Sequence, residues 1–138
     1  MRCEDSMQTM DHGGHPYVMN MDEVIAHNKN FRTAVWTGCY VQMTVMCIPP
    51  CGEIGLEQHN DTEQIIRIEE GKALVRMGTC ECKMDFEKTV CKGDVIFIPV
   101  GVWHNIKNIQ TTCPLKVSSI YAPPHHKKGT IEPKKCER

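Results

Sequence analysis

The chain has 138 residues, a length suited to one domain with a real hydrophobic core. Its 16 lysines and arginines nearly balance 17 aspartates and glutamates, which removes the electrostatic footprint of a nucleic-acid binder. No apolar run reaches membrane-spanning length, and "MRCEDSMQTMDHGGHPYVMN" lacks the apolar centre of a secretory signal, so a cytoplasmic protein with no membrane partner is expected.

Residues 1–16 are polar and methionine-rich and read as a flexible segment, in which His12 and His15 have no specific role. "NMDEVIAHN" predicts a helix of one or two turns: Asn20 can cap it, and Glu23, three residues on, can complete a capping box. From residue 31 the pattern is all strand. "FRTAVWT" and "YVQMTVMCI", rich in β-branched and aromatic residues, are divided by a turn at Gly38. "QIIRIE" and "KALVRM" flank "EGK", which predicts a tight hairpin. "CECKMDFEKTV", "DVIFI", "VWHNIKNI" and "LKVSSIYA" follow, and the prolines of "PPHHKKG" end the last ladder. Eight or nine short strands at intervals of roughly 8–12 residues predict an all-β sandwich or barrel. Lys127, Lys128, Lys134, Lys135 and Arg138 make residues 127–138 a basic, solvated tail, leaving a single domain over residues 17–126.

The nine cysteines are scattered and odd in number, which does not suit a disulfide framework. Their close pairs, Cys47 with Cys51 and Cys80 with Cys82, lack the spacing of zinc knuckles. Free, reduced thiols are the expectation.

The chemistry gathers in "GLEQHNDTEQIIRIEEG", residues 55–71. In an extended segment residues i and i+2 share a face, so Glu57 and His59 project together. On "EQIIRIE" the uncharged face carries Gln64, Ile66 and Ile68 and should point inward, bringing Gln64 rather than Glu63 toward Glu57 and His59 across a hairpin. Downstream, His104 shares an inward face with Val102 and Ile106. One carboxylate, two imidazoles and an amide oxygen converging inside a barrel suit a divalent transition metal: iron, manganese, nickel or zinc. The competing arrangement is a metal-free cluster in which His59 and His104 donate to a buried Glu57. Asp61 and Glu63 are alternative oxygen ligands if the turn folds inward. Trp103 is expected to pack, and His125 and His126 to lie exposed after the two prolines.

"GDVIFIPVGVWHNIKN" resembles the second motif of the cupins, G-x5-P-x-G-x2-H-x3-N, at every fixed position: Gly93, Pro99, Gly101, His104 and Asn108. The first cupin motif, G-x5-H-x-H-x3,4-E-x6-G, is matched at His59 and Gly71. Glu57 replaces its first histidine, Gln64 its glutamate, and Cys51 its opening glycine. Over roughly residues 35 to 125 the chain is similar to small single-domain cupins of the RmlC-like kind, some labelled after mannose-6-phosphate isomerase. The resemblance implies a double-stranded β-helix, or jelly-roll barrel, usually homodimeric, with a metal near the barrel mouth held by Glu57, His59, Gln64 and His104. The usual three histidines and one glutamate carry one negative charge, and so does this set. Two kinds of function are implied. One is a metal-dependent enzyme acting on a small polar molecule, as a sugar or sugar-phosphate isomerase or as a dioxygenase. The other is a non-catalytic cupin that binds a metabolite for sensing. Beyond the ligands the sequence displays no general base.

Overall fold

The computed structural model describes residues 11–136. Helix α1 (Met21–His27) begins where the capping pattern predicts: Asn20 Oδ1 accepts the Glu23 backbone N–H at 3.0 Å. Nine strands follow: β1 (Arg32–Thr37), β2 (Gln42–Ile48), β3 (Glu63–Glu70), β4 (Lys72–Gly78), β5 (Phe86–Cys91), β6 (Val95–Ile98), β7 (Trp103–Asn108), β8 (Leu115–Ala122) and β9 (Ile131–Glu132). They form a six-stranded sheet, ordered β6-β3-β8-β2-β1-β9, and a three-stranded sheet, β5-β4-β7, with antiparallel pairing throughout. The all-β jelly roll expected from the sequence is the architecture observed.

Alternation along the strands decides what lies between the sheets. On β2 the inward residues are Gln42, Thr44, Met46 and Ile48, facing Tyr121, Ser119, Val117 and Leu115 of β8 in register. On β3 Gln64, Ile66 and Ile68 continue the same rows, opposite Tyr121, Ser119 and Val117. One end of this inner face is therefore apolar, and closes on Ala73, Val75 and Ile106 of the second sheet. Each fully buried isoleucine or valine there contributes roughly 1.5–3 kcal/mol. The other end, with Gln42, Thr44, Gln64, Ser119 and Tyr121, is polar, and this is where the candidate site lies. On the outside of the large sheet, α1 sets Ile25 against Val35 and Val45 to make a smaller second core.

Several local expectations are corrected. "EGK" is not a hairpin: β3 pairs with β6 and β8, while β4 pairs with β5 and β7. Both strands carry an apolar face, and placing them in opposing sheets buries the two faces against each other. Gly71, at φ +104°, turns that corner. The run from Glu57 to His59 likewise bridges to β7 through Glu57 and His104, not to β3. Among the described residues, Cys80 and Cys82 form a disulfide across a local turn, whereas Cys39, Cys47, Cys51, Cys91, Cys113 and Cys136 are free.

The chain ends also differ from loose segments where they are described. The Ala34 N–H donates to the Thr130 carbonyl at 2.8 Å and the Phe31 N–H to the Pro133 carbonyl at 3.2 Å, so the basic stretch after residue 126 runs back along β1 as β9. This pairing covers what would otherwise be an open sheet edge. Near the other end, the His12 N–H donates to the Val35 carbonyl at 3.0 Å and its ring stacks on Tyr17. Residues 1–10 of the predicted flexible segment lie outside the described residues. No helix among the described residues is long and apolar enough to cross a membrane.

Candidate metal centre

Glu57 and His104 sit directly opposite each other in an isolated antiparallel bridge, each donating its N–H to the other's carbonyl at 2.9 Å. The strand parity of Glu57 and His59 then sends both side chains to the same side. The turn before β7 locks this arrangement. Gly101, at φ +82°, donates its N–H to the His59 carbonyl at 2.7 Å, and Gln58 Nε2 donates to the Gly101 carbonyl at 2.8 Å. As a result Glu57, His59 and His104 each offer a ligand atom within 4.8 Å of the others. Glu57 Oε2 lies 3.3 Å from His59 Nε2 and 3.6 Å from His104 Nε2.

The surroundings of the three ligand atoms bear on whether they form a metal centre or a hydrogen-bonded cluster. His104 Nδ1 lies 3.0 Å from the Val102 carbonyl. A carbonyl only accepts, so Nδ1 carries a proton and Nε2 is the ring atom turned toward Glu57. Nε2 of His104 and Nε2 of His59 are both buried without a hydrogen-bond partner. Burial pushes the Glu57 carboxyl up, but the contacts with His104 and His59 and the charge of Arg32 outweigh it and hold the group well below the usual carboxylate range. An ionised carboxylate facing two buried imidazole Nε2 atoms is a donor set that fits a divalent cation.

Gln64 points inward, as its strand parity predicted. Its Nε2 donates to Ser119 Oγ at 2.8 Å, while Oε1 is buried and unpartnered. It lies across from Tyr121, whose ring meets the edge of His59 with centroids 6.1 Å apart. Asp61 and Glu63, the alternative ligands, are exposed, and Glu63 Oε2 instead accepts the Val100 N–H.

Sequence reasoning missed what surrounds the cluster. His125, expected in an exposed stretch, keeps water contact but rests its ring 4.1 Å from that of His59. His126 is partly buried, with Nε2 3.2 Å from Tyr121 Oη. Both are held by Gln42, a fully buried amide. It accepts the N–H groups of His125 and His126 at 3.1 and 2.8 Å and donates to the His126 carbonyl at 2.8 Å. Burial, helped by the charge of Arg32, pushes His126 down to about 4, and burial also lowers His125. Tyr121 was legible from the parity of β8. The approach of the two histidines was not, because it depends on Gln42, far away in the chain.

The family profile described as a cupin domain matches residues 44–121, more than half of the chain. The chain belongs to the cupin family. This cupin is 41% identical over 127 residues to the uncharacterized protein YrkC of Bacillus subtilis strain 168, covering 92% of this chain and 68% of that protein. It is 35% identical over 116 residues to the uncharacterized protein L612 of Acanthamoeba polyphaga mimivirus, covering 84% and 71%. The crystal structure of BH2720 from Bacillus halodurans is similar with a TM-score of 0.87 at 43% identity, over 90% of this cupin and 93% of that chain. Within the second motif of the cupin, Asn108 has a structural task. Its Nδ2 donates toward the carbonyls of Ile48, Pro49 and Cys113, and its Oδ1 accepts the Gln110 N–H.

Proposed function

We propose that this cupin binds a divalent transition metal, iron, manganese, nickel or zinc, through Glu57, His59 and His104, and acts on a small polar metabolite. Gln64 Oε1 serves as a neutral fourth donor. The observation that carries the reading is the pair of buried, unpartnered imidazole Nε2 atoms turned on one ionised carboxylate. An ion bound there supplies Lewis acidity and open positions for substrate oxygens. The chain itself supplies the rest. Tyr121 and His125 stand against the His59 ring and His126 meets Tyr121, so imidazoles that are neutral near pH 7 lie beside the centre. His125, the more exposed of the two and in contact with the His59 ring, is the candidate base that the sequence did not display, and a base at that position supports an isomerase-like over an oxygenase-like reaction.

Cobalt(II) titration tests the reading through the visible absorption of the bound ion. Wild type is expected to take up one equivalent. Glu57→Ala and His104→Ala are each expected to bind at least about a hundredfold more weakly while remaining folded. Equal uptake by wild type and both variants contradicts the proposal.

A further inference from the structure

Beside Glu57 lies a cleft of about 520 Å³ bounded by β1, residues 54–57 and the C-terminal stretch. Phe31, Ile54 and Leu56 give it an apolar wall; Arg32, Glu132 and Lys135 join Glu57 as its charged groups. Arg32 comes from an inward position of β1, its side chain only 7% exposed. Glu132 holds Nη1 at 2.6 Å, but the rest of the guanidinium is poorly used: Nη2 meets only the Met46 sulfur at 3.9 Å, and Nε has no acceptor. Nε and Nη2 are thus left without an oxygen on the inner side of the guanidinium, and what Arg32 brings to the cleft it lines is a positive charge only partly committed to Glu132.

Lys135 completes the arrangement from the other side. It lies three residues beyond β9, just after the Pro133 carbonyl that accepts the Phe31 N–H. Its Nζ lies 3.3 Å from where a Cβ on Gly55 would stand, and the missing side chain of Gly55 makes room for the ammonium along the cleft. The charges of Arg32, Lys135, Glu57 and Glu132 cancel. A divalent ion on Glu57 adds two positive charges in surplus, and nothing in the cleft offsets them.

We propose that this cleft is the substrate subsite and that it selects a small organic oxyanion, a carboxylate or a phosphate ester. Its charged end is held by Arg32 and Lys135, its carbon body lies against Phe31, Ile54 and Leu56, and its other end reaches the metal side of Glu57. The inference deepens the metal-site reading and rests on it. It makes the C-terminal strand part of the binding site and a determinant of substrate charge.

The experiment counts metal first and anion second. Purified wild type, Lys135→Ala, Lys135→Glu and Arg32→Gln are saturated with cobalt(II), the bound ion is quantified, and each is titrated by calorimetry with malonate and, separately, with inorganic phosphate. Wild type is expected to bind one of the two, and the preferred anion identifies the source of the oxyanion. Lys135→Ala is expected to weaken that binding about fivefold to tenfold, and Lys135→Glu to abolish it, with one metal per chain in each. Lys135 is exposed, so these variants stay informative even if Arg32→Gln fails to fold. A metal-loaded wild type that binds neither anion overturns the inference and leaves the metal centre standing. Equal anion binding in wild type and both Lys135 variants also overturns it, by placing the anion on the metal alone. A wild type that takes up no cobalt overturns both readings.

Discussion

Asn108 and His104 share one strand and one motif, yet their side chains have separable tasks. Asn108 is fully buried, and its amide ties together the carbonyls of Ile48 at the end of β2, Pro49 just after it and Cys113 before β8. Removing it leaves those acceptors dry, so Asn108→Ala is expected to cost about 2–4 kcal/mol in urea denaturation with metal stoichiometry unchanged in the folded fraction. His126 carries a pH signature. Its folded value of about 4 lies below the ordinary 6.5, so the folded protein resists a proton that the unfolded chain accepts. The associated stability is fully present above about pH 6.5 and is lost as the pH falls toward 4. The denaturation midpoint of metal-free wild type should drop between pH 7 and 4.5, and His126→Asn should show a shallower drop. An identical slope in the two proteins would place the titration elsewhere.

Among the elements, the corner at Gly71 and the turn at Gly93 make different demands on glycine. Both have positive φ, +104° and +94°. A Cβ at Gly71 would stand 2.6 Å from Gln110 Nε2 and 3.2 Å from the Pro114 carbonyl oxygen, whereas one at Gly93 meets nothing within 4 Å. Gly93→Ala is therefore expected to cost about 1 kcal/mol from backbone strain alone, and Gly71→Ala about 2–3 kcal/mol, both read from urea midpoints. Equal costs would show that the corner is looser than its packing implies. The strands themselves were legible because alternation marks them directly, and the inward set Gln64, Ile66 and Ile68 came from that parity alone. Their partners were not legible. Nothing in "EGK" says which sheet the next strand will join, and the pairing of Glu57 with His104 spans four intervening strands. The return of the chain as β9 escaped notice because it uses two ladder residues within a lysine-rich stretch that reads as solvated.

At the scale of the whole molecule, the barrel divides its interior between an apolar end that holds the sheets together and a polar end with uncommitted groups. Thr44 Oγ1, Gln64 Oε1, Arg32 Nε and both imidazole Nε2 atoms are buried there without partners. Unsatisfied groups cost stability, each on the order of 1–3 kcal/mol, and a bound ion satisfies several of them at once. Metal should accordingly raise the unfolding free energy by about 4 kcal/mol at a thousandfold excess over its dissociation constant, and a chelator should reverse the shift in melting temperature. The second cupin motif made the fold and His104 readable at once, since Gly93, Pro99, Gly101 and Asn108 are demanded by turn geometry and loop closure. The first motif hid more, because Glu57 in place of a histidine becomes meaningful only when the bridge to β7 sets its carboxylate against the Nε2 atoms of His59 and His104. The most direct test of the metal centre is elemental analysis of protein purified anaerobically, without an affinity tag or added metal. About one iron, manganese, nickel or zinc per chain is the expected result. Protein that carries none, and takes up none on titration, would contradict the account.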